Sequence, residues 1–128
     1  MDINNLTCSD RIGSSYKTVK QYLNEALTLT GDFSNCENVN QALNEYGSSF
    51  DFIEDEETGL KYWRWQISGG GPSDEFRIYT IGKDGPINDI QYWFLDWFDH
   101  AKIEVTNDQL NKDYTIKELI KDYFFFDY

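Results

Sequence analysis

The chain has 128 residues, with 23 acidic against 11 basic side chains for a formal net charge of −12, and 17% of its residues are aromatic. That length fits one folded domain over residues 1–128, and the aromatic content excludes a disordered chain, which is poor in rings. The charge argues against direct nucleic-acid binding and against an anionic membrane face, and it favours a basic protein partner.

Residues 1–14 mix Asn, Thr, Asp and Gly without periodicity and read as an arm or loop. The opening Met1, Asp2, Ile3, Asn4 and Asn5 are polar and lead to no long apolar run, so no secretory segment is expected. Cys8 and Cys36, the only cysteines, are then expected as free thiols in a cytoplasmic protein. From Ser15 onward, Tyr16, Val19, Leu23, Ala26, Leu27 and Thr30 recur at spacings of three and four, which predicts a helix that Gly31 stops. In a second helix, Ser34 and Glu37 form a capping-box pattern. Val39, Ala42, Leu43 and Tyr46 make its buried stripe, and Gly47 stands where a left-handed cap falls.

After Gly47 the period drops to two. Phe50 and Phe52 alternate with Asp51, and the acidic run Glu54, Asp55, Glu56, Glu57 ends at Gly59 as a hairpin turn. Residues 60–67 alternate again, with Lys61, Trp63, Trp65 and Ile67 on one face and Leu60, Tyr62, Arg64 and Gln66 on the other. Aromatic surface on both faces marks an interior strand. Phe76, Ile78 and Thr80 define the next strand, residues 83–86 a turn, and residues 87–98 a long run that is strand throughout or bends near Asp96. Asp99 and His100 read as a turn before a last strand carrying Ala101, Ile103 and Val105. Leu110, Tyr114, Ile116, Leu119, Ile120, Tyr123 and Phe124 are spaced for a closing helix, most clearly from Thr115 onward. The expected fold is α+β, an antiparallel meander of four or five strands packed with two N-terminal helices and one C-terminal helix.

All four tryptophans fall within residues 63–99, which must therefore supply most of the core. Gly69, Gly70 and Gly71 could present backbone N–H groups to a phosphate, but Pro72, Asp74 and Glu75 follow where a helix and a lysine are needed, so the loop reads as a structural bulge or wide hairpin. His100, with Asp96, Asp99 and Glu104, could hold a divalent metal or run acid–base chemistry. A turn and alternating strand faces, however, do not require these side chains to converge. No cofactor is implied. Tyr62, Trp63, Trp65, Tyr92, Trp93, Phe94, Trp97 and Phe98 lack the basic groove of a single-strand binder and read mainly as core.

The acidic residues are the remaining signal. Carboxylates along a strand recur about every 6.6–7 Å, a spacing comparable with successive phosphates of one DNA strand. Asp51, Glu54, Asp55, Glu56 and Glu57 form one patch, while Asp84, Asp89, Asp96 and Asp99 form a stretch without Lys or Arg between Asp84 and Asp99. On one surface, these nine would fit the basic groove of a nucleic-acid enzyme. Exposed rings among residues 92–98, or among Phe124, Phe125, Phe126 and Tyr128, would serve as anchors.

In small size, net charge, aromatic-rich α+β core and lack of a catalytic set, the chain resembles the small acidic anti-defence proteins of phages and other mobile elements, of the DNA-mimicking anti-restriction and anti-CRISPR type. The resemblance is one of type and carries over no individual residue. It implies a non-enzymatic, stoichiometric inhibitor acting in the host cytoplasm on a defence nuclease or its targeting complex. Two other readings stand beside it: an immunity or antitoxin-like protein that neutralises a toxin nuclease, and a small metal-binding or enzymatic domain around Asp96, Asp99 and His100.

Overall fold

Alternation of apolar and polar residues between positions 49 and 104 produces five strands in the computed structural model, which describes residues 7–124. They are β1 (Ser49–Glu54), β2 (Lys61–Ser68), β3 (Ser73–Thr80), β4 (Ile87–Asp96) and β5 (Asp99–Glu104). Each pairs antiparallel with the next, giving one sheet in the order β1-β2-β3-β4-β5. Two helices precede it, α1 (Cys8–Thr28) and α2 (Val39–Tyr46), and α3 (Ile116–Phe124) follows. The architecture is α+β.

One rung of the sheet shows how it is covered. Phe50, Trp65, Phe76, Tyr92 and Ile103 lie in register across all five strands and so point to one face. The stripes of α1 (Ile12, Tyr16, Val19, Leu23, Ala26), α2 (Ala42, Leu43) and α3 (Ile116, Leu119, Ile120) close over that face as a single core. On the other face Arg77 is held by ion pairing with Glu75 at 2.7 Å. Its guanidinium lies 3.7 Å from the Trp93 ring centroid and 4.8 Å from that of Tyr62. This polar and aromatic layer encloses Glu75 and Tyr62 without a second helical layer among the described residues.

Several expected boundaries move, each for a physical reason. α1 begins at Cys8 rather than Ser15, because Thr7 and Asp10 form a reciprocal capping box and Cys8 and Ile12 extend the buried stripe. It ends at Leu29, a left-handed C-cap with φ 53°, so Thr30 lies outside it. α2 is capped by Asn38, whose side chain accepts from the Gln41 N–H, and not by Ser34, which follows a short 3-10 turn at Gly31–Phe33. Trp97 and Phe98, rather than Asp99 and His100, make the turn into β5. Phe124 stacks on Phe50 at 4.7 Å and packs against Trp65, joining the core, while Phe125, Phe126, Asp127 and Tyr128 lie outside the described residues.

Gly47 caps α2 with extended backbone, φ −85°, so handedness does not explain the glycine. Space does: a Cβ there would meet the indole nitrogen of Trp65 at 2.2 Å. Gly47→Ala gains up to about 1 kcal/mol by stiffening the unfolded chain. It also forces a buried indole to shift, which costs about 1–3 kcal/mol. The clash should prevail, giving a lower urea midpoint than wild type; an unchanged or raised midpoint would contradict this packing.

Candidate functional site

Antiparallel pairing sorts the loops. Residues 55–60 and 81–86 lie at one end of the sheet and residues 69–72 and 97–98 at the other. The ten residues of β4 put about 30 Å between the two ends. The nine acidic residues singled out in the sequence therefore do not share one surface.

At the first end, Glu54, Glu56, Glu57 and Asp84 are exposed and form no ion pair among the described residues. Asp55 is turned back on its own loop, where it accepts the N–H of Glu57 at 3.0 Å. The adjacency of the two loops is visible in a cleft of about 300 Å³ lined by Phe52, Glu54, Lys61, Thr80, Gly82 and Lys83. Lys61 and Lys83 offset part of the charge. Lys83 also rests over the Phe52 ring, 5.1 Å from its centroid. Five carboxylates against two amines leave this end acidic.

The remaining four are engaged elsewhere. Asp51 lies 3.9 Å from Arg64 on the open face, an exposed pair worth little. Asp89 accepts from the Gln91 amide at 3.2 Å and from the Thr106 hydroxyl at 3.1 Å. Burial first, and then the Asp89 carboxyl, push the neighbouring Glu104 above the usual carboxylate range. Asp96 pairs with Arg11 of α1 at 2.6 Å, and Asp99 accepts the Cys8 N–H at 2.8 Å, filling the first turn of the same helix. His100 instead stacks on Trp93 at 5.2 Å. Asp96, Asp99 and His100 are thus spent on three different partners, and no group of three His, Cys, Asp or Glu among the described residues is arranged to hold a metal ion.

What the second end presents is apolar. Trp97 and Phe98 form the two-residue turn between Asp96 and Asp99 and are 89% and 102% exposed. Trp97 has φ 55°, the left-handed conformation that glycine usually supplies in such turns and that costs another residue about 1 kcal/mol. The glycine loop lies alongside, since a Cβ on Gly71 would be 4.0 Å from the Trp97 indole nitrogen. The Gly71–Pro72 bond in that loop is cis.

Two buried carboxylates escaped the sequence reading. Asp74, 6% exposed, accepts the Tyr92 hydroxyl at 2.5 Å and also the Ser68 hydroxyl, while Tyr92 bonds Ser15 of α1 at 2.6 Å. Glu75 is held by Arg77. The period-two pattern contained the signal for Asp74, because it shares a face with Phe76 and Ile78.

Asp99 and Glu104 respond to pH in opposite directions. Donation from the Cys8 backbone holds Asp99 below its ordinary value of 3.8, so its contribution is present above that value and disappears as pH falls through the lowered one. Glu104 is raised from 4.5, so its contribution is complete below 4.5 and is lost as pH rises through the raised value. In urea midpoints measured against pH, Asp99→Asn should flatten the acid-side loss of stability, whereas Glu104→Gln should flatten the loss on the higher-pH side. Identical profiles for both variants and wild type would contradict these environments.

No protein family, curated protein or solved structure matches the chain, so what it does has to be argued from its own residues.

Proposed function

We propose that this is a non-enzymatic acidic binding protein that docks on a basic surface of a partner, most concretely the nucleic-acid channel of a host defence nuclease or its targeting complex. The observation that carries this reading is the exposed cluster Glu54, Glu56, Glu57 and Asp84, brought to one end of the sheet by two neighbouring loops and left without internal ion pairs among the described residues. Charge left in water at one pole contributes little to the fold. It raises the rate of encounter with a cationic surface and penalises partners of the same sign. Asp51 and Asp89 add to the field from the open face, and Asp96 and Asp99 make contacts to α1. No helix among the described residues is long and apolar enough to cross a membrane. The cytoplasm of the host cell is the setting we propose.

The test is capture by the tagged protein from a lysate of its native host at low salt, with elution by rising salt and competition by duplex DNA. A nucleic-acid enzyme that is bound, salt-eluted and displaced by DNA is the expected result. The combined variant Glu54→Lys, Glu56→Lys, Glu57→Lys and Asp84→Lys is expected to weaken that capture at least tenfold, about 1.4 kcal/mol, while folding normally. Equal capture by the folded variant would overturn the assignment of this end.

A further inference from the structure

Of all large apolar residues in the described chain, Trp97 and Phe98 are the most exposed, and they stand together at the end of the sheet opposite the acidic cluster. Their setting is built. Asp96 and Asp99, which flank the rings, bond Arg11 and the Cys8 N–H, and Asp99 stays exposed beside the turn. These two contacts tie the turn to the first turns of α1, so the rings project from a fixed base. Trp97 is held at φ 55°, where glycine would be at ease, so the fold keeps an indole at a position that disfavours any side chain. Beside it, Gly69, Gly70 and Gly71 are exposed and leave the backbone open to close approach.

We infer that the Trp97–Phe98 turn is a preorganised anchor that enters an apolar pocket on a partner protein, with the glycine loop meeting the pocket's polar rim. The inference rests on the reading of the chain as a partner-binding protein and adds a second contact surface to it. Three kinds of occupant could cover the turn, and charge and hydrogen bonding separate them. A second copy would bring two chains of net charge −12 together. An acyl layer would have to receive the rings beside glycine-loop N–H and C=O groups that it cannot hydrogen-bond, and an anionic bilayer would repel the chain as well. A protein pocket satisfies both demands: its floor takes the rings, and its rim pairs the loop backbone. Lysine or arginine on that rim would complement the charge of the chain. Trp is the residue most often found as such an anchor, and a two-residue turn loses little freedom on binding.

The decisive experiment replaces Phe98 with p-benzoylphenylalanine in the full chain, irradiates the native host cells, and maps the adduct by mass spectrometry. The same label at Glu56 reports on the acidic end, and the Phe98 label is repeated in a Trp97→Gly background. The expected result is one protein adduct from position 98, located in an apolar pocket bordered by Lys or Arg and reduced at least tenfold by Trp97→Gly. Because glycine accepts φ 55°, Trp97→Gly should leave the urea midpoint of the purified chain unchanged or raise it, so loss of the adduct would not reflect unfolding. An adduct with a second copy of the chain, an adduct on an open polar surface, or a yield unaffected by Trp97→Gly overturns the inference. So does co-sedimentation of the wild-type chain, lost in Trp97→Gly, with phosphatidylcholine vesicles. An adduct from position 56 with none from position 98 sinks the anchor and leaves the acidic reading standing, whereas no adduct from either position removes both.

Discussion

The Tyr92 hydroxyl is the point at which the helical layer is keyed to the sheet. Fully buried on β4, it joins Ser15 of α1 at 2.6 Å and Asp74 of β3 at 2.5 Å. A buried carboxylate without hydrogen bonds is among the most destabilising groups a core can hold. Asp74 therefore restricts the sheet to arrangements that bring Tyr92 and Ser68 to it, and Tyr92 in turn fixes where α1 crosses β4. With α1 so placed, its first turns reach the end of the sheet, where Cys8 and Arg11 meet Asp99 and Asp96. The Tyr16 ring, tilted against that of Tyr92 with centroids 5.1 Å apart, adds apolar contact to the same junction.

That placement divides the acidic residues by what they do. Those near α1 hold the fold together: Asp10 closes the capping box, Asp96 pairs with Arg11, Asp99 fills the helix terminus, and Asp108 accepts the Tyr16 hydroxyl. The loop carboxylates at the far end have no such duty, Asp55 apart. Formal net charge alone treats these groups as equivalent. The structure separates a helix-bracing set from a set in the far loops that forms no ion pair among the described residues. The same bracing fixes the turn that carries Trp97 and Phe98, so the two ends present different surfaces, one of carboxylates and one led by exposed rings.

Much of the fold was legible because it is local. Alternation along residues 49–104, broken by Gly59, the glycine loop and residues 83–86, is enough to give a five-stranded meander and the face that helices cover. What was not legible depended on contacts between distant residues. The first turns of α1 contain Gly13, Ser14 and Ser15, weak helix formers, and they are helical because Cys8, Ile12 and Tyr16 bury a stripe on the sheet and Asp99 caps the start. Asp99 resembles a turn residue in sequence, and its partner is 91 positions away. For the candidate site, the acidic loops could be read directly, but their grouping could not. Strand parity joins residues 54–57 to Asp84 and separates both from Asp96 and Asp99. Only the pairing of the whole sheet reveals that. The exposure of Trp97 was likewise hidden among rings that mostly pack inside.

On the function proposed above, this molecule meets its partner with the two ends of the sheet and not with its open face or its helices. Amide hydrogen exchange of the chain, alone and bound to the captured partner, tests it most directly. New protection is expected at residues 54–57 and 82–85 and at residues 69–71 and 97–98, with exchange along β2 and β5 and in α2 unchanged. Protection confined to the open face around Arg77 and Trp93, or to the helices, with both ends exchanging as in the free chain, would contradict it.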